Sequence, residues 1–144
     1  MPETTEEQVK EQPKTPQEFL AGFPNGPTPA QIREWKMEVP GNRIRMFSPP
    51  ATEPRAYIVR PISGLELANI FETVPANSQN KDVEVQLRVV TKCLLWSSEK
   101  GMTPYTELEL RSGPAGLVQS LFEVINALSD FYDPSQLSYL SVDL

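Results

Sequence analysis

The chain has 144 residues, fifteen of them proline, and a formal charge of −6. That length fits one domain and leaves no room for two independent cores, while the acidic balance argues against non-specific binding to nucleic acid or acidic membranes. With no histidine and one cysteine, Cys93, the chain lacks the commonest general base, any Ser-His or Cys-His arrangement, an internal disulfide and the ligands of most zinc sites.

Residues 1–27 hold five prolines, five glutamates and two lysines, with only Val9, Phe19, Leu20 and Phe23 as large apolar groups. Such a composition predicts an extended, mobile acidic arm, followed by one mainly helical domain over 28–144. Inside the arm, Thr15-Pro16-Gln17-Glu18 carries a helix-start signature and Gly22 a stop. Phe19, Leu20 and Phe23 then form a small apolar knot, read either as a marginal turn or as a docking peptide that orders on a partner. Thr28-Pro29-Ala30-Gln31 repeats the signature before a helix whose Ile32, Trp35 and Val39 share a face and which ends ahead of Pro40-Gly41. Trp35 reads as packing.

Residues 43–48 alternate, with Ile44 and Met46 pointing one way and Arg43, Arg45 and Phe47 the other. Residues 56–60 make a second short strand, and the proline-rich 48–54 between them reads as a loop, so an antiparallel hairpin is expected near 43–60, leaning on the helices. Six basic residues against three acidic ones fall in 33–60. The aromatic interleaving of a nucleic-acid platform is thin there, and the arginines read as a solvated face or an interface with an acidic partner. Arg43, Arg45 and Phe47 are accordingly candidate partner-binding residues, together with Phe19, Leu20 and Phe23.

Ser63-Gly64-Leu65-Glu66 is a capping box opening a helix over 64–74, with Leu67, Ile70, Phe71 and Val74 on its buried face. The central helix is expected over 83–96. Val83, Leu87, Val90 and Leu94 form one apolar stripe, and Val85, Val89, Cys93 and Trp96 a second beside it. Residues 102–112 read as loop with a short helical turn, although Thr106-Glu107-Leu108-Glu109-Leu110 also alternates like a strand. A second core helix over 116–128 carries Leu117, Leu121, Val124 and Leu128. Phe131-Tyr132 then folds back, and Asp133-Pro134-Ser135-Gln136 opens a brief helix with Leu137 and Leu140. The fold class is mostly α, in the α+β sense, with one short hairpin.

No phosphate-cradling glycine motif is present. Glu107 and Glu109 read as solvated surface, and Cys93, on an apolar stripe, as an inert core thiol. Neither a catalytic residue nor a cofactor or metal site is expected. No stretch is long and apolar enough to span a membrane and no apolar signal-type segment is seen, so a soluble cytoplasmic protein is expected.

Ile-Arg-Glu-Trp-Lys at 32–36, then Tyr-Ile-Val-Arg-Pro-Ile-Ser-Gly-Leu-Glu at 57–66, resembles small tail-assembly proteins of tailed bacteriophages. Val-Val-Thr-Lys-Cys-Leu-Leu-Trp at 89–96 is similar to the segment that follows in them, as is Ala-Gly-Leu-Val-Gln-Ser-Leu-Phe-Glu-Val-Ile at 115–125 with its closing Ser129-Asp130-Phe131. The resemblance spans about residues 28–132 and is one of spacing between short patterns. It implies a non-enzymatic tail or baseplate assembly protein whose partners are other tail proteins, such as tape-measure, tube or hub subunits, in a symmetric assembly of several copies. Such a protein works in the host cytoplasm during assembly and, if retained, in the virion tail. The alternatives are a transient tail assembly chaperone absent from the mature particle and, from another class, a nucleic-acid-binding accessory protein.

Overall fold

The computed structural model describes residues 15–39, 43–49, 55–75, 77, 79–129 and 141–144. In chain order they form α1 (Pro16–Ala21), α2 (Pro29–Glu38), β1 (Arg45–Phe47), β2 (Tyr57–Val59), α3 (Gly64–Thr73), α4 (Lys81–Cys93), β3 (Leu94–Ser97), α5 (Glu107–Ser112), α6 (Ala115–Leu128) and β4 (Ser141–Asp143). The fold is mostly helical around a small antiparallel sheet, as its class predicted.

Helix starts follow local chemistry. Thr15 and Thr28 cap α1 and α2 by accepting from the backbone N–H of Glu18 and Gln31, each with proline in the first turn. Complete capping boxes open α3 (Ser63 with Glu66) and α5 (Thr106 with Glu109). In α5 the box decides between helix and strand for a stretch whose alternation allowed both.

The expected hairpin exists, with Phe47 opposite Tyr57 and Arg45 opposite Val59. It is the middle of a larger sheet ordered β3-β2-β1-β4, in which each neighbouring pair runs antiparallel. All three residues of both β1 and β2 are buried. Because side chains alternate along a strand, the two faces feed two separate cores. Phe47, Tyr57, Val59 and Leu94 join the larger core, with α3 to α6; Ile44, Met46, Ala56, Ile58 and Trp96 join the smaller, with α1 and α2. The ribbon therefore does not present an outer arginine face. The unbroken apolar run Ala56-Tyr57-Ile58-Val59 is the signature of a strand covered on both sides.

Two further expectations are corrected. The central helix stops at Cys93, three residues early, and the chain passes directly into β3. Leu94-Leu95-Trp96 fits helical and extended periods alike, and the open edge of β2 claims its backbone: Arg60 N–H donates to Cys93 O at 2.9 Å and Ser98 N–H to Ala56 O at 2.9 Å. An irregularity in the β2–β3 register, with Ile58 opposite Trp96 and Val59 opposite Leu94, breaks the alternation and sends Trp96 to the opposite face from Leu94. Residues 15–27 are not a free arm either, since Leu20 is fully buried in the smaller core. Their few apolar groups are concentrated within five positions and land on Trp96.

Of the two expected stripes, Val85, Leu87, Val89, Val90 and Cys93 are buried whereas Val83 stays exposed, and on α3 Phe71, expected on the buried face, is exposed as well. Cys93 is fully covered, and burial pushes its thiol up to about 12. Pro40-Gly41 and the features expected at 130–140, including Phe131, Tyr132, Leu137 and Leu140, lie outside the described residues. Among the described residues no helix is long and apolar enough to cross a membrane.

Candidate functional site: a tyrosine-walled cleft

The sequence-predicted partner residues do not form one surface. Leu20 is inside, and Phe19 and Phe23 are half-buried, Phe23 standing edge-on to Trp96 with ring centroids 5.8 Å apart. Phe47 lies in the larger core at 3% exposure. Arg45, at 5%, and the more open Arg43 each approach Asp143 Oδ1 of β4 at 3.3 Å. Burial lowers the Arg45 pKa, and Asp143 opposes that shift. The strand that captures both arginines comes from the far end of the chain, which local pattern cannot reveal.

A cleft of about 460 Å3 opens where the Phe47–Tyr57 end of the sheet meets α5 and the first turns of α6. Phe47, Leu110 and Leu117 give it an apolar lining. Phe47 and Tyr57 stack across β1 and β2 with centroids 6.3 Å apart. The size is within the range of ligand and side-chain pockets, roughly 300–1,000 Å3.

One wall is a hydrogen-bonded triad. Glu99 sits in the tight turn closed by Ser97 and Gly101, where Gly101 takes φ +62° and its N–H donates to Ser97 O at 2.7 Å. That left-handed conformation favours glycine. From the turn, Glu99 accepts from the Tyr57 hydroxyl at 2.7 Å and from the Tyr105 hydroxyl at 2.6 Å, one on each carboxylate oxygen. Arg55 Nε stands 3.9 Å from the same carboxylate. The Tyr105 bond, with that of Tyr57 and the charge of Arg55, holds Glu99 below its ordinary pKa despite partial burial. Burial, then the bond to Glu99, raises both phenols, Tyr105 to about 12. Beside them Lys100 Nζ bridges to Glu109 at 2.6 Å and lies 5.0 Å from the Tyr105 ring centre.

Chemically this is a fixed wall. At neutral pH both phenols stay protonated and the carboxylate ionised, each satisfied by the others. The apolar lining beyond the wall suits an apolar side chain. Sequence reading missed Tyr57, Glu99 and Tyr105 as a group, since they lie on three separate elements. The available signal was the strand-like run ending in two-sided burial, which puts Tyr57 on a packed face.

The Tyr57–Glu66 stretch has its own internal logic. Arg60, just past β2, donates to both Glu66 oxygens at 3.0 and 2.8 Å, while Glu66 also accepts from Ser63 N–H at 3.1 Å. Those Arg60 bonds hold Glu66 down to about 2 against partial burial. The Arg-Pro step and early glutamate thus fasten the end of a strand to the first turn of a helix.

Comparison with protein-family models, curated proteins and solved structures returns no match to this chain.

Proposed function

We propose that this chain is a non-enzymatic assembly protein of a bacteriophage tail or baseplate, acting through contacts with other tail subunits as a structural or hub-associated component. The observation that carries the reading is the cleft, which offers an apolar surface at an open rim while its charged groups are already satisfied within the chain. An apolar concavity with a closed polar network suits a partner's side chains better than bond-making chemistry. The tail assignment itself rests on the residue patterns at 32–36, 57–66, 89–96 and 115–125. In this reading the contact surface is the cleft, with the half-buried Tyr105 and Leu117 facing the partner over a floor of buried Phe47 and Tyr57, in place of the inward-held Arg45.

Mass spectrometry of purified particles from a phage that carries this chain tests the proposal. Stoichiometric presence supports a structural component. Absence from particles, with recovery from infected cells bound to a tape-measure, tube or hub protein, would make it a transient chaperone. Absence from both would sink the tail reading. Binding to DNA or RNA that weakens steeply with salt would instead favour the nucleic-acid accessory role.

A further inference from the structure

We draw no further inference here: the strongest candidate, the Arg55 side of the cleft between the sheet, α5 and α6, belongs to the site already described, and with the guanidinium already facing the Glu99 carboxylate at 3.9 Å nothing in the structure shows what else would cover it.

Discussion

The two faces of the sheet are built by different means. On one, the long helices α4 and α6 lay continuous apolar stripes against Phe47, Tyr57 and Val59; on the other, two shorter helices that each begin with proline meet Ile44, Ile58 and Trp96. The first face is secured by many contacts along each helix, the second by a few large side chains and a tight turn. Equal burial of single residues, such as Leu20 and Leu121, both at 0% exposure, therefore carries unequal consequences. A residue on a long helix can be uncovered only by unfolding the core, whereas one on a short strap such as residues 16–26, α1 and the turn after it, can be uncovered by local opening.

Leu121→Ala breaks the stronger face. It removes fully buried volume between α4, α6 and the sheet, and should cost about 3 kcal/mol, within the range for buried leucine truncation. Urea denaturation followed by far-UV circular dichroism should show one cooperative transition at lower midpoint with unchanged slope. A loss below about 1 kcal/mol would mean that this face repacks freely and that the contrast is wrong.

Glu66→Gln loosens the fastening between β2 and α3 and should cost about 2 kcal/mol, as for a hydrogen-bonded charged group. The sign of the pH effect follows from the shift. Glu66 is held at about 2, below its ordinary value of 4.5, so its contribution is complete above pH 4.5 and is lost as pH falls toward 2. The parent chain should lose stability across that window more steeply than the variant. Parallel acid titrations would show that Arg60 and Glu66 are not coupled in solution.

On the weaker face, Leu20→Ala should cost only about 1–2 kcal/mol despite complete burial, because opening of the strap sets a ceiling on what its contacts contribute. Adding Phe23→Ala should bring little more, since an undocked strap has nothing left to lose; a double variant whose losses sum fully would place α1 in the cooperative core.

The same contrast governs what could be read from the sequence. The core face of α4 and α6 was legible because Val85, Leu87, Val89, Val90 and Leu121, Val124, Leu128 repeat at helical spacing, and the helix starts because Thr28, Ser63 and their partners act within one turn. The smaller core was not, because its centre is Trp96. Three residues past the end of α4, Trp96 satisfies the helical stripe in sequence, yet hydrogen bonding to β2 turns it into a strand and through the sheet. That single switch also hid the destination of Phe19, Leu20 and Phe23, whose polar surroundings resemble a free arm until Trp96 faces them. The cleft was illegible for a related reason: the Glu99 turn brings its carboxylate to Tyr57 and Tyr105 only once β3 exists.

Tyr105→Phe gives the smallest effect and the sharpest view of that turn. The lost bond to Glu99 is partly exposed, so solvent screening should bring the cost at neutral pH to about 1 kcal/mol, below the roughly 1.5–3 kcal/mol of a bond to a charged acceptor. The distinctive signature is alkaline. Tyr105 is raised from 10 to about 12 in the folded chain, so its contribution is complete below pH 10 and is lost as pH rises toward 12. Spectrophotometric titration of tyrosinate should show a late-ionising component in the parent chain that is diminished in the variant, with Tyr57, also raised, supplying what remains. Glu99 works in the opposite direction, contributing above its ordinary range and losing that contribution in acid. Removing one phenol should therefore flatten the pH–stability curve at both ends. Flattening at only one end would mean that Tyr105 and Glu99 do not act as a pair, and the wall of the cleft would reduce to Tyr57 alone.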